Sequence, residues 1–90
     1  MGMHNKGLTK LVEECGELIQ IAAKKMAYMN TDKHPDGNGS LKHRLEDEMA
    51  DVMAICEFVS LKLNLDENYV LERARKKREL YKKWDEIDKE

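Results

Sequence analysis

The sequence predicts an all-α fold of three main antiparallel helices. Charged residues make up 38% of the chain, aromatic residues only 6%, and there is a single proline, a composition that suits exposed helices better than a sheet. Apolar residues recur at three- and four-residue steps in three segments, which is the pattern of amphipathic helices. With 90 residues the chain forms one domain, and a domain this small gains stability from oligomerisation.

The charge balance and the cysteines restrict the class of protein. Sixteen basic and 18 acidic residues give a net charge of −2, which predicts no nucleic-acid polymer as partner. No stretch approaches the ~20 apolar residues of a membrane span, and the first residues lack the apolar run of a signal peptide. Cys15 and Cys56 lie far apart in apolar contexts without a metal-ligand spacing. We therefore expect a cytoplasmic protein with reduced cysteines and no membrane partner.

The first predicted helix covers residues 4–29. Two of its acids lie on one flank of an apolar stripe: Glu14 is about a quarter-turn from the centre of the stripe, and Glu17 lies a little further round. Lys24 and Tyr28 continue this flank. The stripe itself consists of Leu8, Leu11, Val12, Cys15, Leu18, Ile19, Ala22, Met26 and Met29.

A loop is predicted over residues 30–40, where the turn-forming residues concentrate. Pro35 fixes φ, while Gly37 and Gly39 tolerate positive φ. Ser40 is placed to cap the next helix by accepting a hydrogen bond from its first turn.

The second predicted helix covers residues 41–63 and repeats the arrangement of the first. Glu48 lies about 50° and Asp51 about 110° from the centre of its apolar stripe. Both helices thus carry two acids at the edge of a packing face, as a site between antiparallel helices requires. The stripe consists of Leu41, Leu45, Met49, Val52, Cys56, Val59 and Leu63.

The third predicted helix covers residues 66–85, with Asp66 as its N-cap. Two cations four residues apart, Arg73 and Lys77, interrupt its apolar face. Because basic residues are unusual on an inward face, we interpret them as candidate phosphate contacts. The apolar face consists of Val70, Ala74, Leu80, Tyr81 and Trp84.

Two acidic clusters of identical form carry the chemistry: Glu13-Glu14-Cys15-Gly16-Glu17 and Asp47-Glu48-Met49-Ala50-Asp51. Acids three apart share a helix face, and no basic residue follows at the four-residue spacing that would neutralise them. Carboxylates crowded near a packing face repel one another unless a cation binds. An all-carboxylate set suits Mg²⁺, Mn²⁺ or Ca²⁺ rather than a di-iron centre. Mg²⁺ is commonly shared with phosphates, which predicts a phosphate-bearing ligand.

These clusters resemble the EExxE…ExxD signature of the MazG-like all-α nucleoside triphosphate pyrophosphohydrolases, and the similarity extends over residues 7–82. The resemblance implies hydrolysis of a ribo- or deoxyribonucleoside triphosphate to the monophosphate and pyrophosphate with Mg²⁺, or alternatively Mn²⁺. It also implies helix pairs from two subunits in a four-helix bundle, as a dimer or a dimer of dimers. The implied metal ligands are Glu14, Glu17, Glu48 and Asp51.

The expected roles of the remaining residues follow from this resemblance and from their charge. Glu13 or Glu17 would orient or deprotonate the attacking water, and Lys24, Arg73 and Lys77 would bind phosphates. Tyr28 would stack on the base. Two alternatives remain open: a non-enzymatic helical dimerisation or regulatory module with solvated acidic faces, and an enzyme similar to phosphoribosyl-ATP pyrophosphohydrolase.

Overall fold

A computed structural model describes residues 6–88 and contains three α-helices: α1 Lys6–Ala27, α2 Leu41–Lys62 and α3 Glu67–Asp88. No strand occurs between residues 6 and 88, where pairing is limited to one isolated bridge from Lys33 to Ser40. The predicted all-α fold is confirmed. The third helix continues past its predicted end, whereas the predicted start of the first helix at residues 4–5 lies outside the described part of the chain.

Helices α1 and α2 form an antiparallel pair. Near the start of α1, a Cβ added to Gly7 would lie 3.1 Å from the ring of Phe58, near the end of α2. At the other end of the pair, Lys24 of α1 and Arg44 of α2 both contact Asp36 of the intervening loop. The short loop therefore returns the chain alongside itself, which places the two acidic clusters opposite each other.

The contact between the two helices follows the flank that carries the acids rather than the centre of the apolar stripe. Glu14 and Ile21 are buried on α1, and Val59 is buried on α2. By contrast, Val12 and Ile19 in the α1 stripe are 73% and 69% exposed. The stripe is wider than one helix contact, so a single partner helix covers only its edge.

Asp32, near the start of the loop between the helices, fastens the loop to the start of α2. Its carboxylate accepts hydrogen bonds from the Ser40 hydroxyl and from the backbone N–H of Lys42, the latter at 2.6 Å. Ser40 in turn accepts from His43 N–H, so the predicted N-cap of α2 is confirmed. These hydrogen bonds hold the pKa of Asp32 below its usual value.

Helix α3 begins at the predicted N-cap: Asp66 accepts a hydrogen bond of 3.0 Å from the backbone N–H of Tyr69. It packs extensively against neither α1 nor α2. The face predicted to point inward is largely exposed: Val70, Tyr81 and Trp84 are open to solvent, and only Ala74 is partly covered. None of the described helices is both long and apolar enough to cross a membrane.

Candidate metal centre

Three carboxylates from two helices converge at the middle of the α1–α2 pair. One carboxylate oxygen each from Glu14, Glu17 and Glu48 lies within 4.8 Å of the other two. The two glutamates of α1 are three residues apart and share a face, and the antiparallel packing brings Glu48 of α2 opposite them. The predicted convergence of the two acidic motifs is thus observed for these three residues.

Two oxygens of this cluster are buried without a hydrogen-bond partner among the described residues: Glu14 Oε2 and Glu48 Oε2. The Glu14 residue is only 6% exposed. Buried carboxylate oxygens are almost always satisfied in folded proteins, since an unpaired one costs free energy. Each orphaned oxygen therefore marks a position where a cation or a proton is expected.

The electrostatics of Glu48 agree with this geometry. Burial, then a hydrogen bond with Glu17, and then the charges of Glu17, Glu14 and Asp51 raise the pKa of Glu48 to about 7, from an ordinary value of 4.5. Two carboxyl groups can share a hydrogen bond only when one of them is protonated. A divalent cation would replace that proton, because it neutralises several carboxylates at once.

Lys10 is a cation of this site that the sequence analysis did not identify. Its Nζ lies 3.4 Å from a carboxylate oxygen of Glu13 and 3.4 Å from Oε1 of Glu14. Both glutamates raise the pKa of Lys10. Lys10 lies four positions before Glu14, whereas no basic residue lies four positions after the acids. This spacing was the signal that could have found it.

Asp51 and Glu13 lie at the edge of the cluster. Asp51 is exposed and, together with Glu14 and Lys10, lines a cavity of about 430 Å³. Glu13 is exposed and ion-paired to Lys10. The structure therefore assembles three of the four predicted ligands directly and places the fourth, Asp51, within electrostatic range of Glu48.

Of the predicted substrate-binding residues on the first helix segment, Lys24 shares a cavity with the carboxylates, and Tyr28 contacts the loop. Lys24 lines a cavity of about 320 Å³ that is shared with Glu17 and Glu48. Tyr28 packs edge-on against the His34 ring, with centroids 4.8 Å apart.

The two basic residues predicted on the third helix lie elsewhere. Arg73 and Lys77 are exposed on α3, which does not pack over the carboxylates. A basic residue that the prediction omitted is better placed: Arg44 lines the same cavity as Lys24, Glu17 and Glu48.

The donor set fits a hard divalent cation. Every candidate ligand is a carboxylate, and oxygen ligands of this type suit Mg²⁺ and Mn²⁺. Comparisons with known proteins identify no relative: no protein-family model, curated protein or solved structure matches this chain.

Proposed function

We propose that this protein is a metal-dependent nucleoside triphosphate pyrophosphohydrolase, which converts a ribo- or deoxyribonucleoside triphosphate to the monophosphate and pyrophosphate. The observation that carries the proposal is the convergence of Glu14, Glu17 and Glu48, with two orphaned buried oxygens. The resemblance of both acidic motifs to the MazG-like enzymes supports the same activity.

Glu14, Glu17 and Glu48 would hold Mg²⁺, or alternatively Mn²⁺, with Asp51 completing the set from the cavity edge. The bound cation would neutralise charge on phosphate oxygens and make a water more acidic. In this proposal Glu17, whose side chain is exposed and adjacent to Glu48, accepts a proton from the water that attacks the α-phosphorus. Glu13 is the alternative proton acceptor, and pyrophosphate leaves with the electrons of the broken P–O bond.

The cationic side chains of the proposed site stabilise the negative charge of the triphosphate. Lys24 faces the same cavity as Glu17, and Tyr28 lies one turn beyond Lys24, where its ring could stack on a base. Arg73 and Lys77 lie on α3 away from the carboxylates, so their proposed phosphate contacts require an assembly in which α3 covers a site.

A second copy of the chain would cover the exposed apolar face. On a helical wheel the exposed residues of α1 and α2 point to the same side of the helix pair, opposite to Glu17 and Lys24. Pairing two such faces would form the four-helix bundle that the resemblance implies. The exposed members of this face are Val12, Ile19, Met26, Met49 and Met53.

The same exposed face also favours the second candidate, a non-enzymatic helical dimerisation module. That function requires self-association but gives no reason for two buried, unpartnered carboxylate oxygens on the opposite side. The two candidates differ in a simple measurement. A dimerisation module has the same melting temperature with and without millimolar Mg²⁺, whereas a native-state metal site raises it.

The activity is tested by assaying pyrophosphate release from a panel of ribo- and deoxyribonucleoside triphosphates and phosphoribosyl-ATP, with Mg²⁺, Mn²⁺ or EDTA. We expect release that requires the metal and disappears in Glu48→Gln while the helical circular dichroism remains. Glu46→Gln is the matched control, because Glu46 is exposed and, within residues 6–88, is ion-paired with His43 alone, at 3.6 Å. Full activity of Glu48→Gln would overturn the assignment, and preference for phosphoribosyl-ATP would place the enzyme in the alternative class.

A further inference from the structure

Asp36 binds two basic side chains that line a cavity shared with the candidate metal ligands. Its Oδ2 accepts a hydrogen bond of 2.9 Å from Lys24 Nζ. Arg44 donates to both carboxylate oxygens of Asp36, from Nη1 at 3.1 Å and from Nη2 at 3.2 Å. The side chain of Asp36 is 22% exposed in this arrangement. A carboxylate that accepts hydrogen bonds from a lysine and from both terminal nitrogens of an arginine has the contacts that a phosphate group commonly makes.

Lys24 and Arg44 belong to the same cavity as the proposed metal ligands. With Glu17 and Glu48 they line a space of about 320 Å³. On their helices, Lys24 lies seven residues after Glu17 and Arg44 lies four residues before Glu48, so each cation lies one or two turns from a proposed ligand on nearly the same face. A ligand that extends from the carboxylates along this cavity therefore reaches both cations.

We propose that Lys24 and Arg44 form the binding site for the outer phosphates of the substrate, that Asp36 occupies this site as an internal anion, and that the polyphosphate displaces Asp36 when it binds. The inference deepens the proposed function and rests on it for the identity of the substrate. It assigns a binding role to Arg44 and a competing, autoinhibitory role to Asp36.

The loop can release Asp36 without losing its other anchors. Asp32 and Ser40 fasten the loop to the start of α2 by hydrogen bonds that do not involve Asp36. The segment that carries Asp36 is followed by Gly37 and Gly39, which both adopt positive φ, at 71° and 96°. Displacement therefore requires a change only within residues 34–39.

Asp36 is ionised whenever a phosphate competes with it. The hydrogen bond from Lys24, the backbone N–H of Asn38 and the Arg44 guanidinium hold the pKa of Asp36 well below its usual range. The competition is thus between two anions for one pair of cations. His34 Nδ1, 3.1 Å from Asp36 Oδ2, is a further titratable group at this carboxylate. If Asp36 occupies the cations about nine-tenths of the time, the apparent affinity for a polyphosphate is reduced about tenfold.

The test measures binding of inorganic tripolyphosphate by calorimetry in EDTA at low ionic strength, with full-length chains that all carry Glu48→Gln. This background removes one repelling carboxylate and a proposed metal ligand, so the result is independent of metal binding and turnover. Adding Asp36→Asn should tighten binding about tenfold. Adding Lys24→Gln and Arg44→Gln together should abolish it, and adding Glu46→Gln controls for the loss of one nearby negative charge.

Equal affinity with and without Asp36→Asn overturns the inference, as does tightening of the same size in the Glu46→Gln control. Asp36→Ser serves as a second variant, and circular dichroism confirms that each chain is folded before titration. A failed enzyme assay combined with the expected tripolyphosphate series would reject the proposed function while leaving the anion site intact. Metal-dependent turnover without the Asp36 effect would do the reverse.

Discussion

Replacing Glu48 with glutamine removes one charge from the carboxylate cluster and one proposed metal ligand. Melting in EDTA reports the first effect, and the response of the melting temperature to metal reports the second. Glu48 carries an orphaned oxygen and has a pKa raised to about 7. Glutamine has nearly the same shape but no charge. In EDTA at pH 8 we therefore expect Glu48→Gln to melt at a higher temperature than the wild type, since the substitution removes a strained ionised group.

The sign of the pH dependence follows from linkage. Because the folded-state pKa of about 7 exceeds the ordinary 4.5, the folded protein binds the extra proton between these values, and the wild type loses stability as pH rises through that range. Above about pH 7 Glu48 is ionised in the folded protein as well, and the loss of folding stability is complete. The difference in melting temperature between Glu48→Gln and the wild type in EDTA should therefore be largest at pH 8 and should decrease towards pH 4.5.

Metal should stabilise the wild type more than Glu48→Gln. For a wild-type site, metal at about 100 times its dissociation constant stabilises the fold by about 2.7 kcal/mol, which for a domain of this size raises the melting temperature by roughly 11–22 °C. If loss of one charged ligand weakens binding about 100-fold, the same metal concentration stabilises Glu48→Gln by only about 0.4 kcal/mol, a shift of roughly 2–3 °C.

The assay is differential scanning fluorimetry of both proteins in EDTA and in a Mg²⁺ or Mn²⁺ series at pH 5, 7 and 8, with Glu46→Gln as the control of unchanged behaviour. Two results would refute the reasoning. One is a wild-type melting temperature that does not respond to metal. The other is a Glu48→Gln variant that responds as strongly as the wild type, which would show that Glu48 is not a ligand.

Three further predictions concern the helix pair and its loop. Ile19→Glu should lower the mass measured by light scattering to that of one chain, because it places a charge in the exposed apolar face; an unchanged mass above one chain would contradict self-association through this face. Ser40→Ala should reduce the free energy of unfolding by about 1 kcal/mol in urea melts, as loss of an N-cap does, and a change under a few tenths would show that the His43 N–H contact contributes little. Asp32 and Asp36 have lowered pKa values, so the stability they contribute should be present above pH 3.8 and lost below it; replacing both with asparagine should flatten this acid dependence in melts, and an unaltered acid limb would refute the assignment.

The sequence predicted those features of the fold that depend on local pattern. Apolar spacing located all three helices, and the turn residues located the loop with the Ser40 cap. The residues that form the contact between α1 and α2 were harder to predict from the sequence, because the apolar stripe is wide enough for more than one partner. The α1 stripe is centred near Cys15. That position gave no indication that the edge next to Glu14 would be the part covered by α2.

In the candidate site, too, the features that depend on local spacing were predictable and those that depend on the path of the chain were not. Acid spacing was sufficient to predict the meeting of Glu14, Glu17 and Glu48, since three-residue steps fix the face of a helix. Asp36 could not be placed from sequence, because its contacts with Lys24 and Arg44 depend on the path of a loop rather than on a repeat. The face of α3 was predicted to point inward from the spacing of its apolar residues, and spacing does not say which surface covers that face.

The most direct test of the central claim is hydrolysis of the preferred nucleoside triphosphate in ¹⁸O-labelled water with Mg²⁺, followed by mass spectrometry of the products. The account predicts a nucleoside monophosphate that carries one ¹⁸O atom and unlabelled pyrophosphate, because water attacks the α-phosphorus beside Glu14, Glu17 and Glu48. Release of orthophosphate with a nucleoside diphosphate, label in the pyrophosphate, or no consumption of any triphosphate would contradict it.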